Sequence, residues 1–141
     1  MKSDTAADGL AAFHDYTQAF QTLDPRAVVP HFHEPALMIT PQGVFSLPNG
    51  AAVEQAYVHV MADVRAQGYA KTDFPQLAAQ RLGDDLVVVS GVGIWKKESG
   101  EELQRFGMTY TLRRAAGAWR IIVVTIHDPS TALRLPTQSA G

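Results

Sequence analysis

The chain has no cysteine, so it can have no disulfide framework, no thiolate nucleophile and no thiolate metal site. Charge is also sparse: Asp, Glu, Lys and Arg make up 18% of the residues and the net charge is −2. A nucleic-acid surface needs clustered Lys and Arg to meet phosphates. Here the twelve basic residues are scattered. The tightest groups, Lys96-Lys97 and Arg113-Arg114, fall beside turn-like stretches, where they solvate loops. Long apolar runs are missing too, and none reaches the roughly 20 residues of a membrane span. The opening MKSDTAADGL lacks the apolar core of a signal segment, so the expected location is the cytoplasm. With no repeat and no low-complexity linker, the expectation is one domain over residues 1–134 and a flexible tail, LPTQSAG, over 135–141.

What is present is ample apolar content, 46% of 141 residues, enough for a core without metal or disulfide staples. The first half has helical spacing. Leu10, Phe13, Thr17 and Phe20 recur on one face, widened by Tyr16 and Leu23, with Ser3 or Asp4 as cap. Asp24-Pro25 pairs a capping side chain with proline at the first helical position, predicting a short helix from Pro25 to about Phe32 that ends before Pro35. Ala36 to Thr40 and Val44 to Leu47 read as short strands around the turn residues Pro41-Gln42-Gly43. Asn49 caps a third helix whose buried stripe runs from Val53 through Tyr57 and Met61 to Val64, stopped by Gly68.

After Gly68 the period becomes that of strands. Tyr69 to Gln80, Leu86 to Lys96, Leu103 to Arg114 and Trp119 to His127 form four long segments separated by turn chemistry, predicting an antiparallel meander. Pro75 marks an edge strand or a bulge; Gly91 and Gly93 mark sharp curvature. Helices first and a curled sheet after give an α+β class. The last strand is apolar on both sides. By alternation Ile121 and Val123 share one face, and Ile122, Val124 and Ile126 the other. Both faces then need cover, which helices supply on one side and a second copy of the chain on the other, so a homodimer through the sheet face is expected.

The segment YTQAFQTLDPRAVVPHFHEPALM and the ending TYTLRRAAGAWRIIVVTIHD, together with the order of elements, resemble the nuclear transport factor 2-like superfamily over about residues 5 to 130. The resemblance implies a cystatin-like cone, a strongly curved, mostly antiparallel sheet wrapped around three N-terminal helices, with a pocket at its open end. Relatives include ketosteroid isomerases, scytalone dehydratase, SnoaL-like cyclases and limonene epoxide hydrolase. Alignment with the isomerases puts Tyr16 at their oxyanion tyrosine, Thr40 at their catalytic base and Thr109 near their second donor. Threonine cannot act as a carboxylate base, so steroid isomerisation is not expected; a polar pocket lined by Tyr16, Thr40 and Thr109 is, with Met38 and Trp95 among its apolar walls.

His127 ends the last strand beside Asp128 and is the candidate acid or base, a histidine being able to exchange protons near neutral pH. Adjacent residues on a strand face opposite ways, so Asp128 need not orient it. His31 and His33, two apart at a helix end, point away from each other, and no metal site or cofactor is expected. The resulting expectation is a SnoaL-like protein binding a small apolar molecule with a polar handle. Two alternatives stand beside it: an isomerase, cyclase, dehydratase or hydrolase working through His127, and a protein-interaction module using the sheet face. No nucleic-acid or membrane partner is expected.

Overall fold

The computed structural model describes residues 4–133; the tail expected over 135–141 lies outside them. Helix α1 spans Thr5–Gln21, capped by the Asp4 carboxylate, which accepts from the Ala7 N–H at 3.1 Å. Helix α2, Pro25–Val28, is capped by Asp24. It is shorter than its sequence predicts, passing into a single 3-10 turn, Val29–His31, because Pro30 has no N–H to continue an α-helical ladder. Strand β1 then runs over Phe32–Thr40 and β2 over Gly43–Leu47. Helix α3, Gly50–Ala66, starts on Asn49, whose side chain accepts from Ala52 N–H at 3.0 Å. Beyond its end Gly68 takes a φ of 90°, a left-handed conformation that favours glycine. Four long strands follow: β3 Tyr69–Arg81, β4 Leu86–Lys97, β5 Glu102–Ala115 and β6 Ala118–His127.

The strands form one curved, open sheet in the order β2-β1-β6-β5-β4-β3, and the fold is α+β. Every neighbouring pair is antiparallel except β1 and β6, which run parallel. One face of the sheet packs on the helices, and the core lies between them, around Phe13, Val53, Met61, Val87, Leu112 and Ile121.

Two irregularities shape the sheet. On edge strand β3 the pairing with β4 slips between Asp73 and Gln76, where Pro75 sits. The bulged chain there passes so close to Gly91 that a Cβ at that position would meet the Gln76 carbonyl. On β6 the partners jump from Ile121↔Leu112 to Val123↔Thr111, leaving Ile122 as an extra residue. This bulge overturns the simple alternation expected for the last strand. Ile121 and Val124, each 1% exposed, both face the core, and every residue after the bulge has changed sides. β1 also begins at Phe32 rather than Ala36, since Phe32 already pairs with Ile121 of β6 before the register breaks ahead of Leu37.

Candidate functional site

Between α1, α3 and the concave face of the sheet lies a cavity of about 170 Å³. Three tyrosines meet there. Tyr16 comes from α1, Tyr57 from the buried stripe of α3, and Tyr110 from the inward row of β5. The Tyr16 and Tyr57 hydroxyls lie 2.7 Å apart, and Tyr110 donates to Tyr16 across 3.5 Å. All three are buried, and desolvation pushes each hydroxyl well above its ordinary ionisation range. They are therefore neutral O–H groups at physiological pH.

The walls around them are aromatic and aliphatic: Phe13, Phe20 and Phe74, with Trp95, Phe106, Met38, Met108, Val124 and Ile126. Phe20 and Trp95 stack at 5.9 Å with an interplanar angle of 10°. Trp95 contacts Phe106 in turn, their centroids 5.0 Å apart. The polar lining residues are uncharged, Thr17, Thr40, Thr72 and Gln104 besides the tyrosines. Gly93 has no side chain where a Cβ would run into the Phe106 ring, which leaves that ring room on the concave side.

Of the residues singled out from sequence, Tyr16, Thr40, Met38 and Trp95 line this cavity. The Thr40 hydroxyl, however, is engaged by the β1–β2 turn: it donates to Gln42 Oε1 and accepts from Gln42 N–H, both at 3.1 Å. Thr109 and His127 are on the opposite, convex face of the sheet. Thr109 alternates with Met108 and Tyr110, which point inward, and His127 follows the Ile122 bulge that switches the sides of β6. There the two bond to each other, Thr109 Oγ1 to His127 Nε2, at 2.9 Å.

A carbonyl only accepts, so the 3.0 Å contact of His127 Nδ1 with the Asp128 carbonyl requires the proton on Nδ1. With the imidazole neutral, Nε2 accepts from Thr109, whose Oγ1 lies 2.8 Å from that of Ser90; the Ser90 hydroxyl also donates to the Met108 carbonyl at 3.3 Å and accepts the Leu133 N–H at 3.0 Å. The residues after His127 thus strap across β5 and β4, crossing at Gly107, where a Cβ would meet the Asp128 carbonyl and the His127 ring. Ser90, 1% exposed, lies beneath this strap. The Asp128 carboxylate holds Ser130 through its N–H and hydroxyl, both at 2.7 Å, and those bonds keep its ionisation below the usual carboxylate range.

Of the other histidines singled out from sequence, His33 has structural partners. His33 Nδ1 donates to the Pro35 carbonyl at 2.8 Å while Arg113 donates to His33 Nε2 at 2.9 Å. His31 is partly buried, and desolvation lowers its ionisation against the opposing pull of Asp15. No group of three His, Asp or Glu side chains placed to hold a metal occurs among the described residues. No helix among them is long and apolar enough to cross a membrane.

Sequence reasoning took Tyr57 for part of the buried stripe of α3 and did not bring its hydroxyl together with those of Tyr16 and Tyr110. The alternation Gln104, Phe106, Met108, Tyr110, Leu112 carries the signal for Tyr110 and, by the same parity, excludes Thr109.

Residues 8–129 match the profile of a family described as NTF2-like protein (DUF6841). No curated protein sequence matches the chain. Among solved structures, an NTF2-like protein with a cystatin-like fold from Novosphingobium aromaticivorans is similar at TM-score 0.72 and 14% identity, over 90% of this chain and 83% of that one. A ketosteroid isomerase-like protein from Erwinia carotovora atroseptica gives TM-score 0.68 at 15% identity, covering 89% of this chain and 97% of its own. The yeast UBP3-associated protein BRE5 gives 0.71 at 14%, again over 89% and 97%. At such identities the likeness is one of fold.

Proposed function

The chain belongs to the NTF2-like family DUF6841, and from that premise we propose that it is a small-molecule-binding protein of the SnoaL-like type, with the cavity inside the cone as its site. One observation carries the reading. The fold keeps a cavity lined by aromatic and aliphatic side chains and places buried hydroxyls in it, instead of filling that space with core. Apolar walls with a few convergent polar groups are the usual make-up of a ligand pocket. The ligand class that follows is a small apolar molecule with a polar handle; the site residues are Tyr16, Tyr57 and Tyr110 for the handle and Met38, Trp95 and Phe106 for the body. Because one scaffold hosts unrelated chemistries, these side chains, and not the neighbours' names, point to the ligand class.

The test is a crystal structure of protein soaked with a mixture of small neutral organics. Ordered density against Tyr16 and Trp95 is the expected result; a cavity that collapses and excludes every member of the mixture would sink the reading. A role for His127 as acid or base has no support from its position, since its imidazole bonds Thr109 on the other side of the sheet.

The convex face favours a second element of the same reading, the homodimer. Leu37, Ile39, Ile122 and Val123 leave a half-exposed apolar patch over β1 and β6. On β4, Val88, Val92 and Ile94 are already buried within the single chain, so the β1–β6 half is the part of the face left for a partner copy.

A further inference from the structure

Arg113 and Arg114, neighbours in sequence, have different surroundings in the fold. Leu112 and Ile121 are register partners buried on the core side of the sheet, so the next pair along, Arg113 and Arg120, stands on the convex side. Residues directly opposite on antiparallel strands have Cβ atoms roughly 5 Å apart, and like charges in that position destabilise the pairing. Arg114 turns the other way. The Asp85 carboxylate neutralises it, 3.1 Å from its Nε, and its guanidinium lies over the Trp119 ring.

Arg113 and Arg120 have no such relief. Ion pairs among the described residues engage Arg26, Arg81, Lys96, Lys97, Arg105 and Arg114, and none involves either member of this pair. Neutral acceptors hold them instead. Arg120 Nε donates to the Pro30 carbonyl at 3.3 Å. Arg113 donates through Nη1 to His33 Nε2 of β1 at 2.9 Å. That nitrogen is able to accept because the proton is on His33 Nδ1, which donates to the Pro35 carbonyl at 2.8 Å. Both guanidinium groups are thus positioned, while most of their N–H groups have no acceptor among the described residues.

Beside Arg120 an open cleft has apolar walls from Val29, Phe32, Ala115 and Ala116, and one acid, Glu34. Glu34 Oε2 accepts the Gly50 N–H at 2.6 Å, at the start of α3, and neutralises neither arginine. Charge then decides the ligand. Guanidinium forks suit oxyanions. A carboxylate would leave one of the two positive charges uncompensated, whereas a phosphate monoester, at about −1.5 to −2 near neutral pH, matches both. The Glu34 carboxylate disfavours a second phosphate by like-charge repulsion.

We propose that Arg113 and Arg120 form a binding site for the phosphate of a small, free phosphate monoester, whose organic part lies in the cleft along Val29 and Ala115. The two arginines point away from the cavity inside the cone, so the site stands apart from the pocket reading.

The experiment titrates glycerol 3-phosphate, acetate and glycerol into the protein while the side-chain Nε–Hε resonances of the arginines are followed. Glycerol 3-phosphate should shift those of Arg113 and Arg120 above all others and bind at least about tenfold more tightly than acetate, and glycerol should shift neither. Arg113→Gln and Arg120→Gln should each weaken binding roughly tenfold, the worth of a charge-assisted hydrogen bond. Lys71→Gln, which removes a positive charge from the distant edge strand β3, should leave it unchanged. Shifts spread evenly over all the arginines, acetate binding as tightly, or native-like binding by a folded Arg113→Gln/Arg120→Gln variant would each overturn the proposal. So would vesicles containing phosphatidic acid that capture the protein when glycerol 3-phosphate does not, since the phosphate would then belong to a membrane headgroup.

Discussion

Replacing Tyr16 by phenylalanine removes the middle hydroxyl of the chain and leaves those of Tyr57 and Tyr110 without a hydrogen-bond partner among the described residues. A buried polar group that loses its partner costs about 1–3 kcal/mol. Urea unfolding should therefore find Tyr16→Phe less stable by an amount in that range, whereas replacing all three tyrosines together strands no donor and should cost less. The same residues govern behaviour in alkali. Burial raises the ionisation of Tyr16, Tyr57, Tyr69 and Tyr110 above the ordinary value of 10.0, and these are all four tyrosines of the chain. Below that value both folded and unfolded chains hold their phenolic protons, and the stability from this source is fully present. Above it the unfolded chain releases protons first, so stability falls as pH rises toward the folded-state values. Absorbance of tyrosinate should accordingly stay flat through the ordinary range and then rise together with the loss of far-ultraviolet circular dichroism. A gradual rise centred on the ordinary value, with the fold intact, would show that the tyrosines are open to solvent. At this scale the sequence was readable where period alone decides. Tyr16 on the apolar stripe of α1 is inside the cavity. His127 was not readable, because one extra residue at Ile122 reverses every later position of β6.

At the scale of elements the sequence was a good guide to β3 through β6 and to α3, whose caps and turns are chemically explicit: Asn49 before α3, Gly68 after it, and turn residues between the long strands. It overextended α2, where the missing N–H of Pro30 matters more than helical periodicity, and it began β1 late, because pairing with the distant β6 extends that strand back to Phe32. Bulges are the common element behind the surprises, being set by cross-strand partners that a linear reading does not see. Pro75 is the exception, since a proline inside a strand announces the irregularity in advance. Its bulge presses the Gln76 carbonyl against Gly91 on β4. Gly91→Ala should then cost about 3 kcal/mol, the upper end for overpacking a well-filled site, because the obstacle is backbone and cannot swing aside. Thermal melts would check it, and a loss below about 1 kcal/mol would mean that the edge strand yields easily.

For the whole molecule, the class and the wrapping of sheet around helices were legible from the order of elements, and the partner face was legible only in part. Small-angle scattering at micromolar concentration should give the mass of two chains, and Val123→Glu, placed on the half-exposed patch of the convex face, should return one. A native protein that already scatters as a monomer would remove the dimer from the proposal. The strand order carries a consequence for how the protein is made. β6 is the last of the sheet's six strands along the chain, yet it sits third in the sheet and joins β1 on one side to β5 on the other. Contacts between residues as far apart as Phe32 and Ile121 form late and slowly because a long loop must close first. During translation the β1–β2 hairpin therefore emerges with one apolar strand edge open and waits for residues 118–127 before it can be sealed. The sheet can close in its native order only after residues 118–127 have been made, and until then the open edge is a place where another chain could pair.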